Sequence, residues 1–303
     1  IKSLWLGKKP NNSWSIRLVP DANTNVVNFE IIRGAKSRDI GSGTVKGGSA
    51  TCPLCGYTTP VARVRDQLRG RQGGANDARM FCVVTTQPGQ RGRFYRLPNE
   101  QDLSAVRKAA NELEKRLDAN IGTSGMIPNE PLPPHGTLGF RVQLYGMSAW
   151  CDLFSPRQNL TLITLCEKLK SAGKQLEAEY PNGLGRAVQE VLALNIDKIA
   201  DYGSSLASWS SPASQETVRN TFGRQALPII WDFAEAYPFA SSSGGWSHNL
   251  DYLMSPLKAE SLSFLIGGTS SRSNAIQNPL SDDSADAFIT DPPYYDAIPY
   301  ADL

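Results

Sequence analysis

The sequence has few of the residues that mark disulfide-rich or membrane-spanning proteins. Its 303 residues include only five cysteines and two histidines, too few cysteines for the disulfide framework of a secreted domain. No apolar run approaches the roughly 18 residues that cross a bilayer, and the N-terminus lacks the apolar core of a signal peptide. These absences favour a globular protein in a reducing, intracellular setting, and the expected location is the cytoplasm.

The net charge is small, at +2, but the two signs are concentrated in different parts of the chain. Residues 1–97 contain 16 Lys and Arg against 5 Asp and Glu, whereas the remaining residues contain 15 against 24. An imbalance of this size favours contact between the basic segment and a polyanion. The alternative is that the two segments attract each other inside the protein.

The pattern of apolar residues divides the chain into three segments. Residues 1–97 form a β-rich segment, with strands predicted over 15–19 and 26–32. Residues 98–260 form a mainly helical segment, because apolar residues recur there at spacings of three and four. Helices are predicted over 103–117, 156–172, 185–202 and 228–237. Residues 261–303 form the third segment, with strands predicted over 261–266 and 285–290.

Arginine is concentrated near the end of the basic segment. Eight arginines lie between Val61 and Arg96 against two aspartates, and Phe81, Phe94 and Tyr95 lie among them. Arginine side chains neutralise phosphates, and aromatic rings stack on unpaired bases. The candidate nucleic-acid contacts are Arg63, Arg65, Arg69, Arg71, Arg91 and Arg93.

Two cysteines have the spacing of a zinc knuckle. Cys52 and Cys55 flank a Pro-Leu dipeptide and are followed by Gly56, which allows backbone amides to face the sulfur atoms. A structural zinc needs four ligands, and the sequence has no second Cys-x-x-Cys. Cys82, Cys151 and Cys166 stand alone and are interpreted as small buried apolar residues. Cys52 and Cys55 are therefore interpreted as half of a zinc ribbon.

Asp291-Pro292-Pro293-Tyr294 follows the strand predicted over 285–290 and fits the methylation of an exocyclic amine. The lone pair of such an amine is delocalised into the base, so the nitrogen is a poor nucleophile. Two acceptors for its N–H hydrogens, a carboxylate and the first proline's carbonyl, favour a pyramidal and reactive nitrogen. The prolines fix the turn, and the aromatic ring offers a stacking face for an extruded base. These four residues are the candidate catalytic residues.

Residues 291–296, Asp-Pro-Pro-Tyr-Tyr-Asp, resemble motif IV of the amino-methyltransferases that act on DNA. Nearly the whole chain resembles one branch of them, the prokaryotic adenine-specific DNA methylases with an inserted zinc ribbon. The strings that carry this resemblance, in order, are Ser-Leu-Trp-Leu at 3–6, Ala-Thr-Cys-Pro-Leu-Cys-Gly at 50–56, Trp-Cys-Asp-Leu-Phe-Ser-Pro-Arg-Gln at 150–158, Gly-Arg-Gln-Ala-Leu-Pro at 223–228 and Trp-Asp-Phe-Ala-Glu at 231–235.

The resemblance implies a DNA methyltransferase that uses S-adenosylmethionine to modify the exocyclic amine of adenine. It implies an α/β fold in which residues from about 261 belong to a Rossmann-like sheet and residues 1–260 form a long insertion. In that family a glycine-rich cofactor loop and a second zinc knuckle lie N-terminal to the ribbon, and nothing in this chain matches them. Both are expected upstream of Ile1, and the chain alone is expected to be inactive. A restriction or phage-defence partner is left open.

Two other classes of function are also left open. A zinc-ribbon module that binds nucleic acid without catalysis accounts for residues 1–97, but it leaves Asp291 to Tyr294 unexplained. Methylation of cytosine, of RNA or of a protein glutamine needs the same two acceptors. The family resemblance associates Ser at the first motif position with cytosine and Asn with glutamine or with some adenine enzymes, whereas Asp favours adenine.

Overall fold

The computed structural model of the chain describes residues 1–118, 127–137, 139–223, 226–261, 268–274 and 276–294. Helices and strands both occur in these ranges, so the fold is mixed, which is compatible with the predicted α/β class. In chain order the elements are β1 (Trp5–Lys9), β2 (Asn12–Asp21), β3 (Val26–Arg33), β4 (Val45–Lys46), β5 (Ser49–Thr51), β6 (Thr58–Thr59), α1 (Val61–Arg69), β7 (Val83–Thr85), β8 (Phe94–Arg96), α2 (Glu100–Asp118), α3 (Pro156–Glu179), α4 (Leu184–Tyr202), β9 (Ser208–Ser210), β10 (Thr217–Arg219) and α5 (Trp246–Glu260).

Three small antiparallel sheets make up the basic segment, in the strand orders β1-β2-β3, β4-β5-β6 and β7-β8. The β2–β3 hairpin is the longest pairing and runs from Trp14 opposite Arg33 to Asp21 opposite Val26. The strands predicted over 15–19 and 26–32 lie within this hairpin and are confirmed. The adjacent β2 residues Ser15 and Ile16 are both buried, and Ile16 packs in the hydrophobic core.

The helices of the second segment pack in chain order, with α2 against α3, α3 against α4 and α4 against α5. The helices predicted over 103–117, 156–172 and 185–202 are confirmed as α2, α3 and α4. Ser155 begins α3 with a capping box, in which its backbone N–H donates to the Gln158 side chain at 2.7 Å. Proline is tolerated at the next position because a first-turn N–H needs no helical partner. Helix α3 extends beyond its predicted end, because Gly173 is buried against Gln189 of α4 and residues 174–179 are good helix formers.

Two predicted elements are wrong. Residues 228–237 contain no helix and instead run beside β9, where Phe233 forms a bridge with Ser208 and the Ala234 N–H donates to the Ala207 carbonyl at 2.9 Å. These tertiary hydrogen bonds outweigh the local helical preference. Residues 285–290 form no strand, because they have no strand partner among the described residues and a strand needs one for its backbone groups. The strand predicted over 261–266 falls, apart from Ser261, outside the described residues.

All pairings between the named strands are antiparallel, and no sheet within the described ranges has more than three strands. The parallel sheet of a Rossmann-like methyltransferase is therefore not among those residues. The boundaries near residues 97 and 260 stay predictions. In the part of the chain that the structure describes, no helix has the length and apolar character needed to cross a membrane.

Two hydrophobic clusters stabilise the described structure. One lies among the segments around the start of α3 and contains Leu132, Phe140, Val142, Met147, Leu153, Phe154, Leu206 and Leu227. The other lies where the basic and helical segments meet, and contains Leu4, Leu6, Ile16 and Tyr95 with Trp209 packed against them. The second cluster joins residues from both sides of position 97.

Replacing Leu153 with alanine tests the first cluster. Leu153 is fully buried, so Leu153→Ala should lower the free energy of unfolding by about 2–5 kcal/mol. The matched control is Leu184→Ala, because Leu184 is 56% exposed in α4 and its loss should cost about 0.5 kcal/mol or less. Urea unfolding followed by circular dichroism measures both. Equal losses in the two variants would contradict the placement of the core.

Candidate functional site

Cys52 and Cys55 lie on the turn between β5 and β6. The Gly56 N–H donates to the Cys52 carbonyl at 2.9 Å, and the Cys52 N–H donates to the Tyr57 carbonyl at 2.8 Å. Gly56 has a φ of 74°, a left-handed conformation that a side chain would strain. Backbone N–H groups of Cys55 and Leu54 donate to the Cys52 sulfur and lower the pKa of its thiol. This local geometry fits one half of a tetrahedral thiolate site.

The rest of a metal site is not supplied by the described residues. Among them, no group of three or more His, Cys, Asp and Glu is placed to hold a metal ion. Burial raises the pKa of the Cys82 thiol to about 12 and also raises the pKa of Cys151 and Cys166. Their thiolates, the form that binds metal, are therefore disfavoured. The residues described supply two of the four ligands that a structural zinc requires, so they do not complete the site.

The six candidate nucleic-acid arginines have different surroundings. Arg63 and Arg91 are exposed, and neither forms an ion pair with another described residue. Arg69 and Arg71 are also exposed, but each pairs with an aspartate of the basic segment, Asp66 and Asp77 respectively. The charges of Arg63 and Arg91 are the more available to a polyanion.

The other two candidates are engaged in the fold. The Arg65 guanidinium lies 5.6 Å from the ring centroid of Tyr145. Arg93 is half-buried, and its Nε donates to the Glu216 backbone carbonyl at 3.4 Å. Both side chains help to join residues of the basic segment to the segment that follows it, so replacing either one changes packing as well as charge.

Part of the basic charge is neutralised across position 97. Arg96 donates to both carboxylate oxygens of Asp102, at 2.6 and 3.0 Å, and this pair lowers the pKa of Asp102 to about 2. Lys9 lies 3.1 Å from the buried Glu216 carboxylate. Arg96 and Lys9 therefore form ion pairs between the two oppositely charged segments, whereas Arg63 and Arg91 form no ion pair with a described residue.

Asp291, Pro292, Pro293 and Tyr294 lie on an exposed segment without regular secondary structure. The apolar residues just before them are also exposed, with Phe288 67% and Ile289 98% accessible. Residues 295–303, which include the rest of the motif, fall outside the described residues. Among the described residues, no hydrogen bond or ion pair joins Asp291 to Cys52, Cys55 or the six arginines.

Sequence reasoning missed a crevice of about 1240 Å³ between the basic and helical segments. Aromatic side chains from both segments line it, among them Phe81, Trp209, Trp231, Tyr237 and Phe239. The signal was the high aromatic content of residues 231–239, which the incorrect helix prediction over 228–237 obscured.

The metal content of the chain tests the half-site. After dialysis, the chain should retain less than one zinc per molecule, because two thiolates hold the ion too weakly. Mass spectrometry of the bound metal measures this, with Cys52→Ser and Cys151→Ser as paired variants. Tightly held, stoichiometric zinc that survives Cys52→Ser would contradict the assignment of the knuckle. Stoichiometric zinc lost in Cys151→Ser would show that another cysteine completes the site.

No protein-family model, curated protein or solved structure matches the chain. The resemblance to adenine-specific DNA methylases therefore depends on the sequence strings alone and stays a prediction. The features that bear on function are the motif at Asp291, the knuckle at Cys52 and Cys55, and the exposed Arg63 and Arg91.

Proposed function

We propose that the chain is part of a DNA methyltransferase that transfers a methyl group from S-adenosylmethionine to the exocyclic amine of adenine. The observation that carries the proposal is the string Asp291-Pro292-Pro293-Tyr294, whose residues are all exposed. An exposed carboxylate, a rigid proline pair and an exposed aromatic ring are the groups that such a reaction needs at one place.

Each residue of the motif has a separate role in this proposal. The Asp291 carboxylate accepts one N–H hydrogen of the target amine, and the Pro292 carbonyl accepts the other. Pro293 fixes the direction of that carbonyl, because its ring restricts the backbone. Tyr294 stacks on the extruded base and so limits its rotation. Together they hold the nitrogen lone pair in line with the incoming methyl group.

No described residue is assigned to S-adenosylmethionine. The donor, when bound, supplies the electrophilic methyl group. Its usual site is a glycine-rich turn that follows a strand and leads into a helix. Gly41-Ser42-Gly43 instead leads into the short strands β4 and β5 and then to the knuckle, which does not fit the cofactor. The residues from about 261 are proposed to belong to a Rossmann-like sheet.

The surroundings of the motif support a contact with the rest of the enzyme. Phe288 and Ile289 are 67% and 98% exposed in the described structure. Neighbouring exposed apolar side chains can form part of a contact surface. In the proposed enzyme these residues pack against the rest of the methyltransferase, next to Asp291.

A non-catalytic nucleic-acid-binding module is the second candidate. The turn at Cys52 and Cys55, which has the hydrogen bonds of a zinc knuckle, favours it. It gives no role to the exposed motif at Asp291, so we prefer the methyltransferase. The two candidates differ in whether a change at Asp291 affects any activity.

Replacing Asp291 tests the proposed catalytic role. In the complete enzyme, Asp291→Ala should lower the rate of methyl transfer by about a hundredfold or more, the scale of losing one preorganised hydrogen-bonding group. Binding of S-adenosylmethionine should change little. The matched control is Asp286→Ala, which removes an exposed carboxylate five residues earlier. A wild-type rate of tritium transfer to DNA in Asp291→Ala would reject the assignment.

Reversing the two available arginines tests the basic surface. Phosphate contacts carry no sequence information, so Arg63→Glu combined with Arg91→Glu should weaken binding to all duplex sequences. It should also reduce the slope of log affinity against log salt by about 2. Fluorescence anisotropy at several salt concentrations measures both quantities.

The control for that experiment is Arg107→Glu combined with Arg186→Glu, which changes the net charge equally within the helical segment. It should leave the salt slope nearly unchanged. If both double variants weaken binding equally, net charge rather than the basic surface is responsible. If Arg63→Glu combined with Arg91→Glu lowers the melting temperature but not the DNA affinity, these arginines stabilise the fold and do not bind DNA.

A further inference from the structure

The crevice between the basic and helical segments has walls formed by residues far apart in sequence. Phe29 and Phe81 line it from the basic segment, with their ring centroids 5.8 Å apart. Trp209, Trp231 and Phe233 line it from the segment that follows. At about 1240 Å³ the crevice exceeds the volume of a typical small-molecule pocket, roughly 300–1,000 Å³. The crevice therefore has room for a ligand larger than a typical small molecule.

Two aromatic residues at the edge of this crevice are exposed but held in place. Tyr237 and Phe239 are 65% and 73% accessible, and their rings meet edge to face at 5.7 Å. The backbone between them is fixed, because the Ala240 N–H donates to the Tyr237 carbonyl at 3.0 Å and the Trp246 N–H donates to the Pro238 carbonyl at 2.6 Å. Fixed and exposed rings are suited to stacking on a flat ligand.

The positive charges of the crevice are only partly neutralised. Arg79 donates to the Val27 carbonyl at 2.6 Å and lies 4.7 Å from the ring centroid of Phe29. Arg93 donates to the Glu216 backbone carbonyl. Because these partners are neutral carbonyl groups, both guanidinium groups keep their charge for a ligand and have further N–H donors.

The carboxylates that line the crevice are already engaged. Asp77 pairs with Arg71, and Glu235 pairs with Arg157 at 2.7 Å. Asp102 pairs with Arg96. Asp232 accepts the backbone N–H groups of Lys2 and Ser3 at 3.3 and 3.2 Å. Arginines neutralise three of these four carboxylates, whereas Asp232 has only neutral N–H partners and keeps its charge. An anionic ligand therefore meets Arg79 and Arg93 against this single uncompensated carboxylate.

We propose that this crevice binds unpaired nucleotides of DNA, with the bases stacked on its aromatic rings and the phosphates on Arg79 and Arg93. The choice of DNA rests on the proposed function. An enzyme that modifies a base must take it out of the duplex, and that step leaves unpaired nucleotides next to the target. An apolar peptide would gain from the rings but not from the two guanidinium groups.

Removing the exposed rings tests the proposal. Tyr237→Ala combined with Phe239→Ala should weaken binding of a labelled single-stranded 15-mer by about tenfold or more, because each stacked base contributes on the scale of a tenfold change. Binding of the matching duplex should change less than about twofold, since its bases are not exposed for stacking. Fluorescence anisotropy with the 303-residue chain measures both. Equal weakening of both forms, or no change in the single-stranded affinity, would overturn the proposal.

The matched control is Phe222→Ala combined with Tyr252→Ala, which removes two other exposed rings that do not line the crevice. It should leave the single-stranded affinity unchanged. Arg79→Gln should reduce the salt slope for single-stranded DNA by about 0.7. An unchanged slope would remove Arg79 from the site.

A measurement on the unmutated chain keeps the proposal testable if a variant fails to fold. Anilinonaphthalene sulfonate, a fluorescent probe of apolar crevices, should be displaced by the single-stranded 15-mer and not by an aromatic peptide of similar length. Displacement of the probe by the peptide and not by the 15-mer would show that the crevice binds a peptide. Neither result depends on methyl transfer. Loss of DNA binding by the crevice can therefore be distinguished from loss of catalysis at Asp291.

Discussion

The backbone carbonyl of Leu6 joins the two oppositely charged segments. It accepts hydrogen bonds from the Tyr95 hydroxyl at 2.9 Å and from the Trp209 indole N–H at 2.6 Å. The two rings also meet edge to face, with centroids 6.2 Å apart. Burial raises the pKa of Tyr95 well above its usual range, so the hydroxyl stays a donor. Loss of either donor would remove one of these two hydrogen bonds to the buried Leu6 carbonyl. This loss would lower the free energy of unfolding by about 1–3 kcal/mol.

The same junction fixes the walls of the crevice. Glu216 is buried between the segments, with Lys9 beside its carboxylate. A Cβ at Gly7 would require this carboxylate to move. Trp209 and Arg93 both contact the junction and both line the crevice. The packing that stabilises the two segments therefore also positions the groups proposed to bind DNA.

Local pattern predicted the β2–β3 hairpin and helices α2 to α4, because their apolar residues repeat at the period of the element. Helix α1 was not predicted from the sequence, although Val61, Val64 and Leu68 recur at helical spacing. Its nine residues are too few to show a clear helical period. Residues 228–237 were wrongly predicted as helix because their conformation depends on hydrogen bonds with the region around β9. No local pattern contains such contacts.

The candidate sites also differ in whether neighbouring or distant residues form them. The hydrogen-bonded turn at Cys52 needs only residues 52–57, so its spacing was enough to predict it. The crevice depends on Phe81 and Trp209, which are distant in sequence, and no spacing rule connects them. The chemistry proposed for Asp291 to Tyr294 is argued from their residue types, and the described structure contains no strand directly before them.

The central claim is that the motif at Asp291 acts on the amino group of adenine. Its most direct test is to incubate the complete enzyme with duplex DNA and isotopically labelled S-adenosylmethionine, digest the DNA to nucleosides and identify the labelled product by mass spectrometry. The account predicts N6-methyladenine. Label found only in N4-methylcytosine, or DNA that carries no label, would contradict it.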